Sequence, residues 1–204
     1  MCFHSKQSKK AQELESRYKA KIEDLSLFKP MEEINGFSFP KTPVITHEKK
    51  ELIQHFNWGL IPKWAKDNSI RQYTLNARIE TIKEKPSYRD AYQNRCLVIV
   101  DGFYEWHWLD PKGKNKQKYL ISFADNSLFA LGGIWTEWVD KTSGEIVKTY
   151  SIVTTESDEA FGKIKNNKNR MPVILTEKNE DDWLAVSAIE EFSKIENELV
   201  FTRV

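Results

Sequence analysis

The sequence predicts an α+β domain built on a curved, mostly antiparallel β-sheet with helices around it. Several short segments rich in β-branched and aromatic residues are bounded by turn residues, as strands are. A segment near each end of the chain has the features of a helix. The run 140–144, Asp-Lys-Thr-Ser-Gly, has the chemistry of a hairpin turn. Strands joined by tight turns and flanked by helices favour this fold class.

The first predicted element is an amphipathic helix over residues 11–25. Its apolar stripe recurs every fourth residue, at Leu14, Tyr18 and Ile22. Residues 26–45 contain three prolines and a glycine, so we expect a loop that ends in a short strand near residues 44–46.

The central part of the chain carries the strands. They are expected at 97–100, 119–123, 129–135 and 149–154, with the hairpin turn joining a strand that ends near Val139 to one that starts near Ile146. Residues 177–195 predict one or two helices, for which Thr176 is the candidate N-cap.

Length and composition narrow the class of protein. A chain of 204 residues, 40% hydrophobic, can bury one substantial core, so we expect a single domain over residues 1–204. The sequence has no apolar run of 18 residues, which a membrane span would need, and its N-terminus does not resemble a signal peptide. We therefore expect a cytoplasmic protein. Two cysteines and four scattered histidines form no metal-binding motif, so neither a structural zinc site nor a disulfide is expected.

The net charge of +1 hides a polarised distribution. Residues 176–199 hold eight acidic residues against two lysines. Basic residues gather in 6–21, 112–118 and 163–170. A basic face suits a nucleic-acid partner, although solvated surface loops would have the same composition.

Cys2 is the most informative residue. If Met1 is removed, Cys2 carries an α-amine and a thiol on one residue. The amine adds to an aldehyde as a Schiff base, and the thiol then closes a five-membered thiazolidine. An α-amine has a pKa of about 7.7 to 8.0, so part of it is neutral and nucleophilic at physiological pH.

Five motifs occur in a fixed order along the chain. They are Met1-Cys2, the run 57–64 (Asn-Trp-Gly-Leu-Ile-Pro-Lys-Trp), the run 75–81 (Leu-Asn-Ala-Arg-Ile-Glu-Thr), the run 101–106 (Asp-Gly-Phe-Tyr-Glu-Trp) and the run 169–175 (Asn-Arg-Met-Pro-Val-Ile-Leu). Over roughly residues 1–175 the chain resembles the SRAP family, the SOS-response-associated peptidases. That family includes the catalytic domain of the eukaryotic 5-hydroxymethylcytosine-binding protein of embryonic stem cells.

The resemblance implies an SRAP-like fold and a covalent shield for abasic sites in single-stranded DNA, acting as a monomer without a cofactor. It implies that Cys2 cross-links to the ring-opened sugar, with Asn76 and Glu105 beside it. Arg78 and Arg170, from the same motifs, would be phosphate ligands, and Trp64, Pro40 and Thr154 are also expected to bind DNA.

The residues support these roles on chemical grounds as well. Glu105 can shuttle protons during ring opening and carbinolamine dehydration, and its aromatic neighbours favour a raised pKa. Asn76 can hold the sugar hydroxyl or the Cys2 backbone, since an amide both donates and accepts. The alternatives are a surface carboxylate for Glu105 and a turn-capping residue for Asn76.

Trp58 and Trp64 flank the turn at Pro62. An exposed tryptophan can stack on a base, whereas core burial is the competing role; we favour the core for Trp58 and leave both open for Trp64. Arg78 and Arg170 can each grip a phosphate, although either can pair instead with a carboxylate such as Glu80.

Two departures from the family pattern matter. The family has a catalytic histidine shortly before Arg-Met-Pro, where this chain has lysines; Lys165 is favoured for that position and Lys168 is the alternative. A lysine is a poor proton shuttle near neutrality, so reversal of the cross-link would be slow unless a neighbour such as His107 substitutes. Phe3-His4 replaces the Gly-Arg of many members, which removes one expected phosphate ligand.

Two other functions remain compatible with the sequence. One is a cysteine-type peptidase that releases Met1, the activity in the family's name. The other is a non-covalent reader of single-stranded or modified DNA.

Overall fold

A computed structural model describes residues 2–157, 161, 170–193 and 199–204. It contains fourteen strands within those residues, from β1 at the N-terminus to β14 at the C-terminus. They are β1 His4–Gln7, β2 Lys21–Ile22, β3 Met31–Asn35, β4 Lys41–Thr46, β5 Lys49–Trp58, β6 Asn76–Arg78, β7 Arg95–Val100, β8 Gly102–Trp108, β9 Lys116–Phe123, β10 Phe129–Val139, β11 Ile146–Glu156, β12 Arg170–Pro172, β13 Ile174–Leu175 and β14 Leu199–Arg203.

Helices in the described part of the chain are short. The α-helices are α1 Ala11–Tyr18 and α2 Glu180–Leu184, and the 3₁₀ helices are Leu25–Leu27, Gly36–Ser38, Ser69–Tyr73 and Ile189–Ser193.

Five of the strands close into a barrel. The strands β5, β4, β7, β10 and β11 are neighbours in that order through antiparallel pairing, and β11 then pairs with β5 in parallel at Thr149–Tyr150. The prediction of an α+β fold with a curved, mostly antiparallel sheet is therefore confirmed, because closure of the ring requires the sheet to curve.

A second sheet of five strands, in the order β14-β9-β8-β1-β3, packs beside the barrel. A cluster of buried side chains joins the two sheets, with Val98 and Leu131 from the barrel and Phe103 and Ile121 from the second sheet. Cys2 belongs to this cluster and is completely buried. The start of the chain is therefore part of the core that holds the two sheets together.

The predicted helix over residues 11–25 is too long. Helix α1 ends at Tyr18, because Lys19 adopts the left-handed backbone conformation at φ 51°. Ile22, assigned to the helical stripe, instead lies in β2 beside Ile53 of β5. The stripe predicted burial of Ile22 correctly but not its conformation.

Residues 26–45 are more ordered than the expected loop, since they contain β3 and the start of β4. Strand β5 was not predicted at all. Thr176 is not the N-cap of α2; Asn179 is, and its side chain accepts a hydrogen bond from the backbone N–H of Thr176 at 2.8 Å.

The helices within the described ranges are all too short to reach across a bilayer.

Candidate functional site

Strand β1 fixes the position of Cys2. It lies between β3 and β8 and pairs with both, with His4 opposite Asn35 on one side and Tyr104 on the other. The backbone carbonyl of Phe3 accepts a hydrogen bond from the N–H of Gly36 at 2.8 Å. A Cβ at Gly36 would lie 3.1 Å from the Trp58 ring and 3.2 Å from that carbonyl, so glycine permits the close approach.

Asn76 contacts Cys2 directly. Its side-chain N–H donates to the Cys2 carbonyl at 2.9 Å. Its own backbone is held on two sides, by pairing of β6 with β11 at Ile152 and by a 3.0 Å hydrogen bond from the Tyr88 hydroxyl to its carbonyl. Burial raises the pKa of Tyr88 to about 12, which keeps that hydroxyl a donor. The Asn76 Oδ1 is buried and has no hydrogen-bond partner in the described part of the chain.

Glu105 lies on β8, the strand adjacent to β1. Because His4 is opposite Tyr104 in an antiparallel pair, the chain preceding His4 runs toward Glu105. Glu105 is only 7% exposed and shares its face of the strand with buried Phe103. The sequence interpretation of Glu105 as a surface carboxylate is therefore wrong. His107 lies two residues further along the same strand.

The structure thus brings Cys2, Asn76 and the strand that carries Glu105 together at the junction of the two sheets. Lys165 and Lys168, the candidates for the family's histidine position, lie outside the described residues. Their roles, like the catalytic roles of the others, stay predictions.

His4 occupies the place where many family members have arginine. Its Nδ1 lies 2.9 Å from a carboxylate oxygen of Glu33, and its ring meets the Trp106 ring edge-on with centroids 4.6 Å apart. Lys118 contacts the second oxygen of Glu33 at 2.6 Å. His4 and Lys118 therefore both contact Glu33 on the face of the sheet opposite to Glu105.

Arg170 is held by the protein itself. Its guanidinium donates to Glu80 at 2.8 Å and to the Thr154 carbonyl at 2.6 Å, and only 9% of the residue is exposed. Burial is the largest single influence and acts to raise the pKa of Glu80, but the hydrogen bond and charge of Arg170, a backbone hydrogen bond and the charge of Arg78 together outweigh it, so that pKa lies below its usual value. The alternative that Arg170 pairs with Glu80 is confirmed, and a role in binding DNA stays a prediction.

The other predicted DNA-binding residues differ in their exposure. Arg78 is exposed at the end of β6, Pro40 is half-buried and Thr154 is completely buried. Trp64 is 52% exposed and donates its indole N–H to the Pro86 carbonyl at 3.1 Å, so core burial of Trp64 is wrong. Trp58 is completely buried, and the preference for the core is confirmed.

Sequence reasoning missed two aromatic residues near Asn76. Phe37 and Tyr73 are 50% and 77% exposed, and both line a small cavity that also contacts Asn76. Each is an aromatic residue within a stretch otherwise typical of a loop, and that was the only sign in the sequence of an exposed ring.

A closed β-barrel packed on a second sheet, with a cysteine at position 2 buried between them against an asparagine, defines a class of protein whose N-terminal segment is part of its core. The chain belongs to the SRAP family: the family model described as SOS response associated peptidase (SRAP) matches residues 1–202.

Named relatives support this membership. The chain is 40% identical over 142 residues to the abasic site processing protein YoqW of Bacillus subtilis, a match that covers 69% of this chain and 61% of YoqW. It is 33% identical over 149 residues to the abasic site processing protein HMCES of Gallus gallus, covering 62% and 43%. The chain therefore spans about three fifths of the length of the Bacillus relatives it matches.

Solved structures share the fold over the whole chain. A crystal structure of a protein from Bacteroides thetaiotaomicron is 36% identical and superposes with a TM-score of 0.90, covering 100% of this chain and 92% of the other. A protein from Bordetella bronchiseptica, at 20% identity and a TM-score of 0.81, has the same fold; that match covers 100% and 99% of the two chains.

Proposed function

We propose that this protein captures abasic sites in single-stranded DNA by forming a thiazolidine between Cys2 and the sugar aldehyde. The observation that carries the proposal is the hydrogen bond from Asn76 to the Cys2 carbonyl, on the side of the fold where β8 presents Glu105. That arrangement fixes the backbone of a residue whose amine and thiol would otherwise be free to rotate. The relatives YoqW and HMCES are abasic site processing proteins, which supports the proposal.

The chemistry requires one molecule of aldehyde and releases one molecule of water. The sugar hemiacetal opens to an aldehyde, and the neutral amine of Met1-processed Cys2 adds to its carbon to give a carbinolamine. Protonation of the carbinolamine hydroxyl expels water and leaves an imine. The thiol sulfur then adds to the imine carbon as the nitrogen takes up the thiol proton, which closes the five-membered ring.

Glu105 is the proposed proton carrier. A carboxylic acid can protonate the ring oxygen during opening and the hydroxyl during dehydration, and the carboxylate can take the proton back from the amine. Glu105 is only 7% exposed, so bulk water has little access to compete for these transfers. Asn76 holds the Cys2 backbone while the sugar approaches.

Charge near the site suits a DNA strand. Arg78 is exposed two residues after Asn76 on the same strand, and the side chains of alternate residues share a face. An arginine there can bind the phosphate next to the sugar that reaches Cys2.

Denaturing gel electrophoresis tests the proposal. Protein with a confirmed Cys2 N-terminus is incubated with single-stranded DNA that contains one abasic site, with intact DNA and the Cys2→Ser variant as controls. A heat-stable shifted band that requires both Cys2 and the abasic site is expected. Binding without such a band would instead support a non-covalent DNA reader, and retention of Met1 only in Cys2→Ser would support a self-processing peptidase.

A further inference from the structure

A small cavity of about 230 Å³ opens beside Asn76. It is lined by Phe3, Phe37, Gln72, Tyr73, Leu75 and Asn76. Four of these side chains are aromatic or aliphatic, and the other two are amides. Asn76 also donates to the Cys2 carbonyl, so a single side chain connects this cavity to the residue proposed to react.

The aromatic walls are exposed although they are large. Tyr73 is 77% exposed and Phe37 is 50% exposed. The rings of Phe3 and Phe37 lie 4.9 Å apart with a 35° tilt, so two of the walls support each other. Exposed apolar side chains that cluster around a concavity, rather than being scattered singly, mark a binding surface.

Short 3₁₀ helices fix the backbone positions of both exposed aromatic residues. The Asn35 side chain caps the first helix by accepting the backbone N–H of Phe37 at 3.0 Å. Tyr73 ends the second helix, and the next residue, Thr74, donates its hydroxyl to the Leu60 carbonyl at 2.6 Å. The backbone that carries the two rings is therefore ordered without a ligand, which lowers the entropic cost of binding.

The size and lining of the cavity favour one planar ring system. Its volume is below the roughly 300–1,000 Å³ of sites for drug-sized ligands. Aromatic walls offer stacking faces, and the amides of Gln72 and Asn76 offer both donors and acceptors to the edge of a ring. Arg71, whose guanidinium lies 4.1 Å from the centre of the Phe39 ring, adds positive charge beside Gln72.

We propose that this cavity binds the nucleobase next to the abasic sugar, stacked on Tyr73 and Phe37. The inference rests on the proposed function, because the abasic sugar has no base of its own and the neighbouring base is the first ring that a strand reaching Cys2 brings to Asn76. The cavity thereby selects an abasic site that is flanked by an intact base in an unpaired strand. Phe3 contributes a further ring to the same wall.

The test measures binding without covalent chemistry. Single-stranded oligonucleotides carry a tetrahydrofuran abasic analogue, which has no aldehyde, either at one position or at two consecutive positions, so that the neighbouring base is absent. The second oligonucleotide is made in two versions, one that lacks the base on the 5′ side of the first abasic position and one that lacks the base on its 3′ side. Fluorescence anisotropy then gives Kd for the unmodified protein and for Tyr73→Ala, Tyr73→Phe and Leu25→Ala; Leu25 is a control because it is 65% exposed elsewhere on the surface.

Loss of the neighbouring base on one flank should weaken binding to the unmodified protein by about 5- to 150-fold, the range that one base–aromatic stack gives. Tyr73→Ala should bind both oligonucleotides equally weakly, while Tyr73→Phe, which keeps the ring, and Leu25→Ala should retain the difference. Thermal denaturation confirms that each variant is folded.

The inference is overturned if the unmodified protein binds the oligonucleotide with one abasic position no more tightly than either oligonucleotide with two. It is also overturned if Tyr73→Ala still binds the oligonucleotide with one abasic position more tightly. Failure of the proposed function is a separate result, read from the denaturing gel as the absence of a Cys2-dependent cross-link. A cross-link with no dependence on the neighbouring base would leave the proposed function intact and reject only the role of the cavity.

Discussion

The side-chain amide of Asn76 donates a hydrogen bond to the backbone carbonyl of Cys2 at 2.9 Å, although 74 residues separate them in the sequence. The bond acts on the main chain of Cys2 rather than on its thiol. Asn76 is itself fixed by β11 and by the Tyr88 hydroxyl, so the barrel determines where the start of the chain lies.

Replacing Asn76 with alanine should slow cross-linking by about 5-fold, since a hydrogen bond contributes about 1 kcal/mol. Asn76→Asp should be slower still, because a carboxylate would face the Cys2 carbonyl and repel it. Gel-based rates at saturating DNA measure both. Asn57→Ala is the matched control, because the Asn57 amide also donates to a backbone carbonyl, that of Lys148. Equal rates for the Asn76 and Asn57 variants would contradict the positioning role.

Glu105→Gln should slow cross-linking by about 10² to 10⁴-fold, the usual contribution of a positioned acid or base, with the affinity for DNA unchanged. The glutamine keeps the shape of the side chain but cannot exchange a proton. Single-turnover gels give the rate and anisotropy gives the affinity. Glu137→Gln, an exposed strand position, serves as the control. A Glu105→Gln rate within 3-fold of the original would exclude proton transfer by this residue.

His107→Ala tests whether a histidine on β8 takes over the missing family histidine. If His107 moves protons, both formation and reversal of the cross-link should slow by roughly 10-fold or more. The yield of linked protein is followed over time after dilution into excess competitor DNA. Unchanged formation and reversal would end this hypothesis.

Arg78→Ala should weaken binding to single-stranded DNA and make it less sensitive to salt. Each phosphate contact contributes about 0.7 to the slope of log K against log salt, so the slope should fall by about that amount. Anisotropy titrations from low to physiological salt measure it. The unfolding midpoint in urea should stay the same, because Arg78 is exposed.

Arg170→Ala should instead lower the free energy of unfolding by about 2–3 kcal/mol, since it leaves the Thr154 carbonyl without its charged donor. Urea denaturation measures the change. Glu80→Ala should cost less, because 41% of the Glu80 side chain is exposed to solvent. Arg170→Ala with full stability and a reduced salt slope would show that Arg170 contacts phosphate rather than the fold.

His55 should make the protein less stable at mildly acidic pH. Burial lowers its pKa from the usual 6.5, and Phe28 packs against its ring. A base with a depressed folded pKa gives its full stability above pH 6.5 and loses it as the pH falls through the lower, folded value. Urea midpoints at pH 8 and pH 5.5 should therefore differ less in His55→Phe than in the unmodified protein.

Whether a strand could be predicted from the sequence depended on the kind of residues it contains. Strands β7, β10 and β11 are runs of apolar or β-branched residues and were predicted from the sequence. Strand β5 was missed because three of its first five residues are charged and because it buries Gln54, whose amide donates to Glu23. A buried amide satisfied by a distant carboxylate leaves no apolar periodicity to detect.

The site shows the same limit. Cys2, Asn76 and Glu105 were singled out from motifs, but only the fold shows that Asn76 holds the Cys2 backbone. From the sequence, Arg170 could bind either a phosphate or the Glu80 carboxylate. The contact with Glu80 becomes visible only in the folded chain, where β12, which carries Arg170, pairs with β11. Phe37 and Tyr73 escaped notice, because exposure is a property of the folded chain.

The position of β1 between β3 and β8 also has a consequence for synthesis. Strand β8 begins at the midpoint of the 204-residue chain, so β1 leaves the ribosome long before one of its two neighbours exists. Until then the first residues cannot complete their pairing, and an aminopeptidase has access to them. Once β8 is made and β1 lies between its two neighbours, Cys2 is buried, so on the proposed function we expect the removal of Met1 to precede the pairing of β1 with β8.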